Sequence, residues 1–282
     1  MWRGAVGALM LAICAACSAT SSPAIATDSV AARTARLHQF AVMSQRTGQQ
    51  YVIQVSEPVD ALPAGGKAPV VYVTDGNWYF DMATDTVQRH MIDGGMGPTF
   101  VVAISYSDPS VENVGARREA DLIHKPLKGA TGMTGGGGDD FVAFLMGEVR
   151  PFIEGRFAVD PTRSVLAGQS FGGLFATNVL LEKPGSFYGY LIGSPSLWAD
   201  RSLLAAARVL TGGEGRRVYI GVGGYESAEM RRDAKALAEA LSARSTGLSV
   251  EHAELARLSH TNMQGAWFAN GLLYLLPKST GN

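Results

Sequence analysis

Apolar runs of strand length alternate with segments of helical spacing along most of this 282-residue chain. Most of the apolar runs have no polar face, which indicates strands that are buried on both sides of a sheet. The predicted strands are 51–55, 68–74, 99–104, 164–167, 188–192, 218–222 and 248–255. The predicted helices are 78–92, 139–156, 171–182, 203–210, 229–244 and 264–276. This alternation predicts an α/β fold, with a mostly parallel sheet and helices on both faces.

Two stretches depart from the alternation. Residues 27–48 are polar, and a helix is the expected element there, although the spacing has no strong period. Residues 106–137 have no clear pattern, and their glycine run lacks the Gly-Lys-Ser/Thr ending of a phosphate-binding loop. Because the chain has no internal repeat and no second apolar core, we expect residues 27–282 to form one domain.

The first 26 residues are typical of an export signal. Arg3 supplies positive charge, residues 5–16 are apolar but too short to span a bilayer, and Ala24 and Ala26 fit a signal-peptidase site. We therefore expect a periplasmic or secreted protein with no membrane span. Cys17 also stands in a pattern similar to a lipoprotein signal, so a lipid anchor at this residue stays open.

Composition excludes several kinds of chemistry. Both cysteines, Cys14 and Cys17, lie inside the predicted signal, so the mature chain would have no thiol nucleophile. The 25 acidic and 24 basic residues nearly balance, which predicts no nucleic-acid partner. No spacing such as His-Glu-x-x-His is present, so neither a metal nor another cofactor is expected.

The strongest chemical signal lies where a predicted strand ends and a helix begins. Ser170 stands there within Gly168-Gln169-Ser170-Phe171-Gly172. A turn this tight needs small residues two positions before and after the serine, and it raises the hydroxyl above the sheet at the positive end of the helix. Ser170 is therefore the candidate nucleophile, and the Phe171 N–H is the candidate first donor to an oxyanion.

A serine hydroxyl needs a base, and in this arrangement the chain order is serine, acid, histidine. Three of the five histidines, His38, His90 and His124, precede Ser170. His252 lies within a predicted strand, where packing is the more common role. His260 follows the last predicted strand, on the edge that carries Ser170, and is the candidate base.

The acid is less constrained than the base. Glu226 follows the strand 218–222 and is the first choice, whereas Asp200 follows the preceding strand and is the alternative. Asp233 is expected to face solvent on a helix. A serine–histidine pair without a close acid also stays open.

The loop after the early buried strand should supply a second oxyanion donor. Gly76 and Asn77 are the candidates, through their backbone N–H groups. The same residues also suit a plain turn in which Asp75 or Asn77 caps the next helix, and both roles are compatible.

Several short motifs then follow in an order that resembles the putative esterase family of α/β-hydrolases, the branch that includes periplasmic siderophore esterases. The match runs from about Gln50 to Leu276. Its landmarks are Val71 to Asn77, Arg117 to Leu122, Gly136 to Phe141, Gly168 to Gly173, Ser194 to Trp198, and His260. The resemblance implies an α/β-hydrolase fold, Ser170 as nucleophile, His260 as base, an acid near Glu226, and an oxyanion loop at Gly76 and Asn77.

The resemblance also bears on the substrate. In siderophore-esterase relatives, arginines near the pocket contact a catecholate, which makes Arg117 and Arg118 candidate substrate contacts. Pairing of these arginines with acids such as Glu119 or Asp121 is the alternative and the commoner arrangement. Trp78 and Trp198 are further candidates for contact with substrate.

One departure from the family pattern concerns the rim of the pocket. The family usually has Thr-Pro after the Asp-Leu pair, whereas this chain has Ile123-His124-Lys125-Pro126. The departure weakens any transfer of substrate identity. The predicted function is hydrolysis of a small-molecule carboxylic ester, such as a siderophore lactone or an acylated sugar. An acyltransferase with the same three residues, or a ligand-binding protein that has lost catalysis, are the alternatives.

Overall fold

The computed structural model describes residues 36–127, 135–243 and 246–278. The predicted signal segment and Cys17 lie outside these ranges. One sheet of eight strands crosses the protein in the order β1-β2-β4-β3-β5-β6-β7-β8. The strands are β1 Leu37–Met43, β2 Gln50–Ser56, β3 Ala68–Val73, β4 Phe100–Tyr106, β5 Val159–Gln169, β6 Gly189–Gly193, β7 Arg217–Gly223 and β8 Ser249–Leu255. From β4 to β8 the neighbours run parallel, and β1 and β2 form an antiparallel edge.

Helices cover both faces of this sheet. They are α1 Gly76–Ile92, α2 Val111–Leu122, α3 Gly138–Phe144, α4 Arg150–Glu154, α5 Phe171–Glu182, α6 Ser202–Arg208, α7 Ala228–Leu241 and α8 Gln264–Leu275. Helices α1 and α8 pack on one face, and the others pack on the opposite face, so the core has two layers. Strand β3 is buried at every position because both of its faces are covered. This is the α/β-hydrolase architecture that the sequence predicted.

The prediction for residues 27–48 was wrong where the structure describes them. Residues 37–43 form strand β1, which pairs antiparallel with β2 at the edge of the sheet. Its side chains alternate between exposed and half-buried, and His38, Phe40 and Val42 form the half-buried row. A polar histidine in that row obscured the two-residue period in the sequence.

A second correction concerns the region 106–137, where no element was expected. Residues 111–122 form helix α2. Its buried positions are Val114, Arg118, Asp121 and Leu122, which are spaced as one helical face. Two of these four residues are charged, so an apolar pattern could not reveal the face.

The predicted helix 139–156 forms in three parts. Helices α3 and α4 are joined without a break by a π-helical turn over Leu145–Val149.

None of the helices in the ranges that the structure covers is long and apolar enough to cross a membrane.

We expect the hydrophobic core on the face of the sheet opposite α1 and α8 to depend strongly on Phe144. Its ring is fully buried and stacks on Tyr51 with centroids 4.5 Å apart. Phe144→Ala should lower the free energy of unfolding by about 3–5 kcal/mol, because it leaves a cavity between the sheet and α3. Ile92→Ala is the control, since Ile92 is 76% exposed at the end of α1, and its effect should stay within about 0.5 kcal/mol. Urea unfolding of both variants measures the difference, and equal losses would contradict the prediction.

Candidate active site

Ser170 occupies a sharp turn between β5 and α5. Its backbone has φ 63° and ψ −118°, a conformation that costs free energy for a residue with a side chain. A Cβ at Gly168 would lie 2.2 Å from the Gly172 carbonyl oxygen, and one at Gly172 would lie 2.4 Å from Thr74 Oγ1. Gly168 is therefore required by the close approach of strand and helix, and Gly172 by the loop after β3, in agreement with the small residues predicted at both positions.

His260 and Glu226 meet at the same edge of the sheet. His260 lies in the turn after β8, and Glu226 lies in the turn after β7. His260 Nδ1 is 2.8 Å from Glu226 Oε2, within the hydrogen-bond range expected for a histidine and its orienting acid. With Nδ1–H donated to the carboxylate, Nε2 keeps a free lone pair.

The carboxylate of Glu226 is held on its other oxygen as well. Oε1 accepts hydrogen bonds from the Gly223 N–H, at 2.8 Å, and from the Ser194 hydroxyl. Burial alone would raise the pKa of Glu226, but the hydrogen bonds from His260, Ser194 and Gly223 outweigh it and keep this pKa below its usual value. The side chain is only 2% exposed, so Glu226 is a buried anion aimed at His260.

The two other acids considered from the sequence have different partners. Asp200 lies 2.7 Å from Lys125 Nζ and accepts hydrogen bonds from Ser202, and no bond joins it to His260. Asp233 was expected to face solvent, and this was wrong: it is buried on α7 and pairs with Arg201 at 2.8 Å. Of these three acids, Glu226 is therefore the one that contacts His260.

Ser170 and His260, both within the described ranges, line the same cavity. Their side chains do not form a hydrogen bond with each other. Ser170 Oγ is 3.3 Å from Ser196 Oγ, while His260 Nε2 is 3.4 Å from the side-chain nitrogen of Gln169. Contacts between nucleophile and base are often long in a free enzyme and shorten when substrate binds.

The backbone N–H groups of Phe171, Gly76 and Asn77, which lie near this turn, form no hydrogen bond within the described ranges. Phe171 begins α5 directly after Ser170, whereas Gly76 and Asn77 begin α1 and line a neighbouring cavity beside β4. The Asn77 side chain does not cap α1, because it exchanges hydrogen bonds with the Tyr106 backbone at 2.7 and 3.1 Å.

The arginines of the α2 motif pair with acids. Arg118 forms a two-fold hydrogen bond with the buried Asp75, at 3.0 and 2.9 Å, so Asp75 makes no cap bond at the start of α1. Arg117 lies 3.5 Å from Asp121. Arg118 nevertheless reaches the cavity, and its guanidinium lies 5.1 Å from the Trp78 ring centre and 5.2 Å from that of Phe171.

Two cavities meet at Ser170 and His260. One, of about 540 Å³, has Trp78, Tyr79 and Arg118 in its wall. The other, of about 440 Å³, is lined by Trp198 and by Tyr225. Trp78 is 45% exposed and Trp198 is 43% exposed, so each offers an aromatic face to a ligand on its own side of Ser170.

Four residues that hold this arrangement had no role predicted from the sequence. Gln169 donates to the His260 carbonyl at 3.0 Å and accepts from the Tyr79 hydroxyl at 2.7 Å. Ser194, with φ 37°, donates a hydrogen bond to Glu226, and Ser196 contacts the Ser170 hydroxyl. Ser194 and Ser196 stood inside a motif quoted for the family resemblance, which was the available signal, but spacing alone gave no hint of their contacts.

A family model described as "Putative esterase" matches residues 44–261. The chain belongs to this family. The siderophore triacetylfusarinine C esterase of Aspergillus fumigatus is 36% identical over 169 residues, which is 57% of this chain and 56% of that protein. The siderophore enterobactin esterase of Emericella nidulans is 39% identical over 176 residues, covering 56% of this chain and 57% of the relative. The chain thus spans about half the length of the curated relatives it matches.

Solved structures agree with the family on the fold. The BES protein from Bacillus cereus superposes with a TM-score of 0.76 at 26% identity, over 86% of this chain and 95% of that one. Siderophore hydrolase EstB from Aspergillus nidulans gives a TM-score of 0.72 at 29% identity, over 86% and 96% of the two chains. The fold and the order of its motifs are therefore those of the family.

The geometry predicts a large effect of the Glu226 charge on ester hydrolysis. Glu226→Gln keeps the shape but removes the charge that would stabilise a protonated His260, and kcat should fall by about four orders of magnitude. Asp200→Asn is the matched control, since Asp200 was the alternative acid, and kcat should change by less than about threefold. Initial rates on an aryl ester measure both variants. A loss for Asp200→Asn that equals the loss for Glu226→Gln would contradict the assignment.

Proposed function

We propose that this protein is a serine esterase that hydrolyses a carboxylic ester, with Ser170 as nucleophile, His260 as general base and Glu226 as the orienting acid. The observation that carries the proposal is the 2.8 Å bond between His260 Nδ1 and Glu226, at a cavity that also contains Ser170. The family and its esterase relatives support the same activity.

The chemistry follows from these atoms. His260 Nε2 takes the Ser170 proton as Oγ bonds to the ester carbonyl carbon, and the carbonyl oxygen becomes an oxyanion. The N–H of Phe171, with that of Gly76 or Asn77, would stabilise this charge. The carbon–oxygen bond to the alcohol then breaks, and His260 returns the proton to the alcohol. Water attacks the acyl-enzyme by the same route and frees the acid and Ser170.

The substrate we propose is an ester of a siderophore. Two of the relatives are named for siderophore esters, and two aromatic walls flank Ser170 in this chain. Arg118 Nη1 makes no hydrogen bond within the described ranges while the rest of the guanidinium binds Asp75. This nitrogen is available for an anionic oxygen, such as a catecholate, held against Trp78.

We also propose that the protein is exported and acts in the periplasm or outside the cell. The composition of residues 1–26 supports this proposal. In a variant of the proposal, a lipid attached to Cys17 anchors the exported chain to a membrane. Mass spectrometry of the mature N-terminus distinguishes a chain that begins at Thr27 from one that begins at a lipidated Cys17.

The nucleophile is tested with a fluorophosphonate probe, which labels activated serines. The wild-type protein should be labelled, and Ser170→Ala should lose the label together with about a million-fold in kcat. Ser196→Ala is the matched control, because it removes the neighbouring hydroxyl 3.3 Å away and should retain labelling. Labelling that survives in Ser170→Ala would overturn the proposal.

Substrate choice is tested by comparing a catecholate trilactone with p-nitrophenyl acetate. Trp78→Ala should lower kcat/KM for the trilactone by about tenfold, which corresponds to about 1.4 kcal/mol of lost contact. The small acetate ester should respond by less than about twofold. Free acid as the product identifies hydrolysis, whereas transfer to an added alcohol would identify an acyltransferase. Equal losses on both substrates would contradict a siderophore-binding role for this wall.

A further inference from the structure

A buried histidine lies beside two carboxylates, away from Ser170. His124 follows α2, Asp139 lies in the first turn of α3, and Glu182 is the last residue of α5. One nitrogen of His124 and one oxygen from each carboxylate all lie within 4.8 Å of one another. Three segments that are distant in sequence thus bring three metal-ligating groups together.

The His124 ring is held firmly in place. Its side chain is only 6% exposed, and the ring stacks on Phe175 with centroids 5.7 Å apart. Gly138 makes room for the ring, since a Cβ there would come within 2.4 Å of Nδ1. Neither ring nitrogen has a hydrogen-bond partner in the part of the chain that the structure describes, and Nε2 is 3.7 Å from Asp139 Oδ1. A buried polar ring without a partner is unusual and requires an explanation.

The groups around the ring suit a metal cation. A neutral imidazole offers one ring-nitrogen lone pair to a metal ion, and the two carboxylates supply negatively charged oxygen ligands within 4.8 Å of it. The adjacent Lys125 is paired with Asp200 at 2.7 Å, and in the ranges that the structure describes neither Asp139 nor Glu182 forms an ion pair with a lysine or arginine.

We propose that His124, Asp139 and Glu182 bind a divalent first-row transition-metal ion, with Zn²⁺ as the best fit to one imidazole and two carboxylates. Ca²⁺ and Mg²⁺ prefer all-oxygen sites, so the imidazole disfavours them. Zinc binds these donors at about 2.0–2.2 Å, and the two exposed carboxylates can rotate inward to reach that distance. The two carboxylate charges balance the ion, and water completes a tetrahedral site.

The ion would act on stability rather than on the reacting ester. Helix α5 begins directly after Ser170 and ends at Glu182, and its twelve residues place the two ends roughly 18 Å apart. A metal at Glu182 is therefore too far away to contact the reacting atoms. It would instead tie the end of α5 to His124 and to the start of α3.

The test uses the full chain without a histidine tag, dialysed against EDTA and titrated with Zn²⁺ in a calorimeter. One equivalent should bind, and Zn²⁺ at about a hundred times its Kd should raise the melting temperature by roughly 5–10 °C. Asp139→Asn and Glu182→Gln should each weaken Zn²⁺ binding by at least about tenfold. Both side chains are exposed, and Asp139 is 81% exposed, so neither change threatens folding.

Two controls separate this site from general charge and from the active site. Asp140→Asn makes the same charge change one residue away, on an exposed side chain outside the cluster, and should keep wild-type affinity. His260→Ala should also keep the equivalent of Zn²⁺, whereas His124→Gln should lose it. The proposal is overturned if Zn²⁺ does not bind, if Asp139→Asn binds as wild type does, or if His260→Ala alone removes the ion. Asp139→Asn should hydrolyse esters at the wild-type rate in EDTA, because it does not contact Ser170.

Discussion

The closeness of β5 and α5 at Ser170 is the constraint on which the rest of the structure depends. A Cβ at Gly168 would clash with the Gly172 carbonyl, a Cβ at Gly172 would clash with Thr74 in the loop after β3, and Ser170 between them has a positive φ. The surrounding packing offsets this backbone strain, because β5 is a central strand and α5 is buried along most of its length. The first N–H groups of α5, like those of any helix, have no acceptor within the helix, and here they lie directly beside Ser170.

Polar contacts then fix the loops around that turn. The Asp75–Arg118 pair joins the loop after β3 to α2, and Arg118 in turn packs against Phe171. Removing one member would leave a buried charge without its partner, which typically costs about 3–5 kcal/mol. On the other side, Glu226 connects the turn after β7 to His260. The site is therefore positioned by buried charges that bridge separate loops, rather than by any single loop.

The sequence predicted most of the fold because the parallel strands are uniformly apolar and the tight turn at Ser170 requires glycine at Gly168 and Gly172. It missed β1 because His38 occupies the half-buried row of that strand, and it missed α2 because Arg118 and Asp121 occupy a buried face. The same limit applies to the site. Ser170, His260 and Glu226 follow a known chain order, whereas the bonds of Gln169 and Ser194 and the cluster around His124 depend on packing between distant segments, which spacing does not encode.

The two cavities that meet at Ser170 have a consequence for the order of events in turnover. On the proposed mechanism, a linear ester would place its acyl and alcohol portions in the two cavities on either side of Ser170, and departure of the alcohol would open a path for water. In a cyclic ester, the freed hydroxyl remains tethered to the acyl group, and its effective concentration near the acyl-enzyme stays high. Ring closure would then compete with water until that arm swings out. The space in the cavity that receives the arm, and not only the strength of the base, would therefore set how often the opened ring escapes.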